Sequence, residues 1–219
     1  FLKMAKPFWV TSSNSATLAR LRNAGVKAEY LYLFGNIPYS LSEQSKTSNE
    51  ITVGFFGTLY EKFPFDILAK SLNEISKSLD KTIHIIIMGR QREGEGLKEI
   101  YRISQKYCFS ISQPGEQQSK VISKEFQNCD LGVSTTPYDI LGKSGSTAAM
   151  LEHGLPVLAY DDGDTPKDKL FIMQEYQDQV FLLNDSSFAR KLISFLKKPR
   201  KPFFDGVAHT TKKILTTLN

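Results

Sequence analysis

From Ile51 onward the chain alternates short apolar runs with longer amphipathic stretches. The runs and stretches are Ile51–Gly57, Ile67–Leu79, Ile83–Gly89, Leu97–Tyr107, Cys108–Ser112, Val121–Cys129 and Asp130–Thr135, then Ser146–His153, Pro156–Tyr160, Lys167–Tyr176, Val180–Leu183 and Phe188–Lys197. Continuous apolar runs suit strands buried on both faces, and helices between them supply the crossovers of a parallel sheet. Ile83-His84-Ile85-Ile86-Ile87 is the clearest buried strand. The pattern predicts an α/β fold, a doubly wound Rossmann-like parallel sheet of about six strands with helices on both faces.

The residues before Ile51 follow another pattern. Phe8-Trp9-Val10-Thr11 reads as a strand, Ser15–Ala24 as a helix capped by Gly25, and Ala28–Leu33 as a strand running into Phe34-Gly35-Asn36-Ile37-Pro38. With no sheet of their own expected, residues 1–39 read as the tail of a preceding N-terminal domain. Residues 40–50 are polar and without periodicity, as in a linker. Residues 51–198 form the main domain and residues 199–219 a C-terminal tail or helix.

Composition removes several classes. With 41% hydrophobic and 23% charged residues, the 219-residue chain is of ordinary globular type. Lacking a signal-peptide pattern or an apolar run near the roughly 20 residues of a membrane helix, it is expected to be cytoplasmic. Cys108 and Cys129 have no metal-ligand spacing and read as two reduced thiols. The net charge of +5 suits phosphate-bearing ligands or an anionic membrane surface, but is too mild and diffuse to indicate nucleic acid.

Ligands of such sheets bind beyond the carboxyl ends of the strands. Gly57-Thr58 and Lys62 follow the first apolar run, Gly89-Arg90 the second, and Gln113-Pro114-Gly115-Glu116 the third. After the fourth come Lys143, Ser144, Gly145, Ser146 and Thr147, which open a helix with capping hydroxyls and free backbone N–H groups suited to phosphate. Glycine permits close approach of the backbone, and Lys62, Arg90 and Lys143 supply charge for a diphosphate.

Gly57-Thr58-Leu59, Met88-Gly89, Gly115, Asp130-Leu131-Gly132-Val133 and Gly154-Leu155-Pro156-Val157 occur in an order and spacing that resembles the C-terminal domain of GT-B glycosyltransferases of the family-4 (group 1) type, over about Ile51 to Leu196. The resemblance implies a donor-binding domain for a nucleoside-diphosphate sugar, needing no further cofactor and no metal. It also implies an acceptor held by a missing N-terminal domain, of which Val10-Thr11-Ser12 and Leu33-Phe34-Gly35-Asn36 resemble the end. Diphosphate contacts fall on Ser144 and Gly145. The phosphate-binding arginine of that family is Thr58 here, with Lys62 the candidate lysine, offset by one. Its two glutamates, the second of which binds the donor ribose, correspond to Leu141 and Ala149. The chain is thus an atypical member in this reading, and a non-catalytic pseudo-glycosyltransferase, binding a nucleotide or a protein, is the alternative. Glu152 is expected at the surface.

Gly142-Lys143-Ser144 imitates the end of a P-loop, but Pro137 stands where that motif requires glycine. Asp161-Asp162-Gly163-Asp164 lacks the spacing of a calcium loop and reads as a solvated turn. His84 reads as a satisfied core or semi-core residue, and His153 as a cation at a helix end. Lys197-Lys198-Pro199-Arg200-Lys201 reads as a solvated linker, or as a contact with acidic lipid headgroups.

Overall fold

The apolar runs pair into one all-parallel sheet, seen in a computed structural model that describes residues 9–41, 49–91, 93–161, 163, 176 and 178–218. A small unit precedes it: β1 (Val10–Ser12), helix α1 (Ser15–Asn23) and β2 (Ala28–Tyr30). Asn14 starts α1 by accepting the Thr17 N–H at 2.9 Å, meeting one of the amides a helix start leaves open. The expectation that these segments lack a sheet is corrected, since β1 and β2 pair with each other in parallel.

The main domain runs β3 (Glu50–Phe56), α2 (Phe65–Leu79), β4 (Thr82–Met88), α3 (Glu95–Tyr107), β5 (Ser110–Gly115), α4 (Ser119–Asn128) and β6 (Leu131–Val133). A 3-10 turn (Tyr138–Lys143), α5 (Gly145–Glu152), β7 (Val157–Ala159), β8 (Val180–Leu182), α6 (Phe188–Leu196) and α7 (Gly206–Leu218) follow. The predicted helix at Lys167–Tyr176 lies outside the described residues apart from Tyr176, as does most of the predicted linker. β5 runs further than its apolar residues and includes Pro114, tolerable on an edge strand.

Strand order is β5-β4-β3-β6-β7-β8, so the chain winds outward from β3 in one direction and from β6 in the other. Such a reversal opens a crevice at the carboxyl ends of the two central strands. Alternate residues of β4 serve the two cores. Ile85 and Ile87 pack with Leu68, Leu72, Ile100 and Ile103, whereas Ile86 and Met88 pack with Ile122, Phe126, Ala149 and Met150. Burial on both faces explains why β4 is apolar almost throughout.

Arg200 joins several chain ends. Its guanidinium donates to the carbonyls of Phe126 (2.6 Å), Gln127 (2.8 Å), Cys129 (3.2 Å) and His153 (2.9 Å), which terminate α4 and α5. Lys201 pairs with Asp178. The basic segment is therefore partly structural, and its two described side chains with these contacts are not simply solvated. Beyond it, α7 returns to the small unit, where Lys213 donates to the Tyr30 carbonyl and Thr210 to that of Tyr32.

Candidate functional site

Gly57 ends β3 with φ of 92°, a left-handed conformation that favours glycine. A methyl group there would lie 2.8 Å from Ser146 Oγ and 2.9 Å from its Cβ. The β3 exit and the first turn of α5 thus meet at the crevice, bringing together residues from two motifs far apart in sequence.

Ser144 caps α5. Its hydroxyl accepts the Thr147 N–H at 3.2 Å, the Thr147 hydroxyl at 2.8 Å and the Thr136 hydroxyl at 3.3 Å, and lies 3.1 Å from Ser146 Oγ. Thr147 Oγ1 in turn sits 2.7 Å from Ser134 Oγ. Either hydroxyl can donate in the Ser144–Ser146 hydrogen bond. The opening amides of the helix have no intrahelical acceptor by construction, and the dipole gives this end a partial positive charge.

The other candidates lie at the ends of β3, β4, β5 and β6 or in the stretches that follow them. Thr58 is exposed, and its carbonyl accepts the Thr135 hydroxyl at 2.8 Å, which also accepts the Tyr60 N–H at 3.0 Å. These bonds fasten the β3 loop to the end of β6. Lys62 is exposed on the β3 loop and Lys143 at the end of the 3-10 turn. Gly89 and Gly115 both have positive φ, and the Gly89 N–H donates to the Gly115 carbonyl at 3.1 Å. Arg90 forms an exposed ion pair with Glu116 at 3.2 Å. Sequence reasoning missed Gln91, whose amide donates to the carbonyls of Gly57 (3.1 Å) and Met88 (3.2 Å) and ties two strand-end loops together. Its only sequence signal is a polar residue just past a strand-ending glycine.

A cavity of about 590 Å³ opens beside these loops, lined by Thr58, Tyr60, Lys62, Thr135, Pro137 and Tyr160. A larger one, about 860 Å³, lies against β8 and α6 and holds none of the site residues. The smaller cavity takes in Thr58 and Lys62 but not Gly57 or Ser144–Thr147, so it adjoins the meeting point of β3 and α5 rather than coinciding with it. Among the described residues no cluster of histidine, cysteine or acidic side chains suits a metal ion.

Several sequence expectations change here. Glu152 is not at the surface but 2% exposed, with Oε1 accepting from the Tyr32 hydroxyl at 2.8 Å and the Gly35 N–H at 2.9 Å. His153 is not a helix-end cation: burial lowers its pKa to about 4, and its ring nitrogens meet the Ala149 carbonyl (2.7 Å) and the Ser123 hydroxyl (2.9 Å). Asp161 is buried rather than solvated and accepts the Gly163 N–H at 3.0 Å; Asp162 and Asp164 lie outside the described residues. His84 is satisfied between Ser110 and Ser112, and Cys108 and Cys129 are both thiols rather than a disulfide. Leu141 and Ala149 are both buried.

No family model and no curated protein matches the sequence. Solved structures do match. Anabaena HepE, in complex with UDP and glucose, is 18% identical with a TM-score of 0.56, over 96% of this chain and 62% of that one. WaaG, a glycosyltransferase of lipopolysaccharide biosynthesis, is 11% identical with a TM-score of 0.55, over 93% and 60%. S. aureus TarM, bound to fondaparinux, α-GlcNAc-glycerol and UDP, is 19% identical with a TM-score of 0.53, over 98% and 41%. The fold is that of the GT-B C-terminal domain. The chain spans less than two thirds of each of these three proteins. No helix among the described residues is long and apolar enough to cross a membrane.

Proposed function

We propose that this chain binds the nucleoside diphosphate of a sugar donor in the crevice between β3 and β6, and forms the donor-binding part of a glycosyltransferase whose acceptor is held by a further domain. The observation that carries this reading is the contact of Gly57 with Ser146, which sets the β3 exit and the opening of α5 around one space at the topological switch of the sheet. Helix-start amides and the Ser146 hydroxyl then face the diphosphate, while Lys143 and Lys62 balance its charge from the rim. In glycosyl transfer the leaving group is that diphosphate, so donors fixed in advance around it stabilise the charge that develops as the sugar departs. The Thr58 and Gln91 contacts hold the loops in place for that purpose.

Leu141 and Ala149 favour a second reading. Apolar, buried side chains at the two places where the resembling enzymes carry carboxylates suit a domain that binds a nucleotide or a protein without catalysis. Calorimetry of the chain against UDP, GDP, ADP and CDP tests the binding reading, with one nucleotide expected to bind saturably and Ser144→Ala to weaken it. No binding of any of the four would reject it. Turnover of the corresponding sugar nucleotide by the full-length protein separates the two readings.

A further inference from the structure

The first unit grips the site helix near both ends. Near the α5 start, the Asn14 amide donates to the Asp139 carbonyl in the preceding 3-10 turn at 2.5 Å. Near its finish, Gly35 lies directly on the helix backbone: a methyl group on Gly35 would come within 2.5 Å of Ala149 Cα. The Glu152 carboxylate completes this second grip through Tyr32 and Gly35, and its carbonyl accepts the Phe204 N–H at 2.9 Å. Both passages of the chain between the first unit and the sheet domain, near residues 35 and 204, therefore meet at one residue of α5. Gly206 leaves room for this junction, since a methyl group there would overlap Glu152 Oε1.

Glu152 is an expensive way to fasten two segments. Its carboxylate is 2% exposed, its side-chain partners are the neutral Tyr32 and Gly35 donors, and no ion pair to it occurs among the described residues. Burial raises its pKa, against the lowering effect of the Gly35 and Tyr32 hydrogen bonds. Glu152 lies about 7.5 Å along the helix from Thr147, about one and a half buried turns, so a displacement at Glu152 is carried to Thr147 with little to absorb it.

We propose that Glu152 is a positioning residue, which fixes the ligand-facing start of α5 relative to the first unit by clamping residues 32–35. This rests on the donor-site reading for its ligand but not for its mechanics. Glu152→Gln retains an oxygen able to accept from Tyr32 and Gly35, Tyr32→Phe removes one donor, and Glu152→Ala removes the acceptor.

Residue-resolved amide hydrogen exchange tests the mechanics without ligand. Exchange at Thr147 and Ala148 is expected to speed up about tenfold in Glu152→Ala and less in Tyr32→Phe, the scale of one lost hydrogen bond, and to stay near wild type in Glu152→Gln. Acceleration confined to residues 32–36 and 150–153 would overturn the proposal, and Tyr32→Phe serves that test if Glu152→Ala does not fold. UDP titration of the folded variants supplies a second readout. An affinity lowered in Glu152→Ala and restored in Glu152→Gln supports positioning; affinity equal to wild type in both overturns it. If wild type binds none of UDP, GDP, ADP and CDP, the donor reading fails, while the exchange result still decides the clamp.

Discussion

Replacing Gly57 by alanine perturbs the point where β3 meets α5. The substitution carries two separable costs. An alanine at φ of 92° is strained, by about 1–2 kcal/mol for a left-handed position. Its methyl group also meets Ser146 Oγ at 2.8 Å and Cβ at 2.9 Å, closer than side chains pack, which adds about 1–3 kcal/mol of overpacking. Gly115 is the control, with φ of 74° and nothing within 4 Å of a new methyl, so Gly115→Ala carries strain alone. Urea denaturation should therefore place Gly57→Ala below Gly115→Ala by about 1–3 kcal/mol at an unchanged slope. Ser146→Gly removes both atoms the methyl meets, so combining it with Gly57→Ala should recover most of that difference. Equal destabilisation by the two alanines would refute the argument that β3 and the α5 start are in contact.

Lys143→Ala should weaken nucleoside-diphosphate binding by about 1–3 kcal/mol, the scale of a hydrogen bond to a charged group, and an unchanged Kd in calorimetry would remove Lys143 from the site. Ala149→Glu, which would restore the carboxylate of the resembling enzymes, should instead destabilise the fold by several kcal/mol, because Ala149 is fully buried beneath Gly35; a gain in UDP affinity at wild-type stability would contradict this. Because burial puts the His153 pKa at about 4, below the ordinary 6.5, its stabilising effect is fully present above pH 6.5 and is lost as pH falls toward 4. That amounts to at most about 3 kcal/mol, and His153→Gln should flatten the urea midpoint over this window; an unaltered slope would count against a neutral, buried His153.

The strands of the main sheet were legible because burial on both faces makes them continuously apolar, as in Thr82–Met88. Strand-end glycines marked the loops of the candidate site for the same reason that Gly57 needs its conformation. In the first unit the two strands and the helix were legible but the pairing was not: β1 and β2 are three residues each and form a parallel pair only because α1 returns the chain. Glu152 was misplaced because α5 has no polar face. Every residue from Thr147 to Glu152 is buried, so helical phase cannot tell which side meets solvent. The Arg200 contacts span about 70 positions to α4, and no local pattern announces such a long-range cap.

The central claim is that a nucleoside diphosphate lies between the end of β3 and the start of α5. Amide chemical shifts of the isotopically labelled chain, followed during titration with UDP, test it most directly. The account predicts saturable shifts centred on Gly57, Thr58, Gly145, Ser146 and Thr147, abolished or weakened by Ser144→Ala. Saturable shifts centred instead on the cavity at β8 and α6, around Val180, Phe188 and Lys198, with residues 57–58 and 145–147 unmoved, would contradict it.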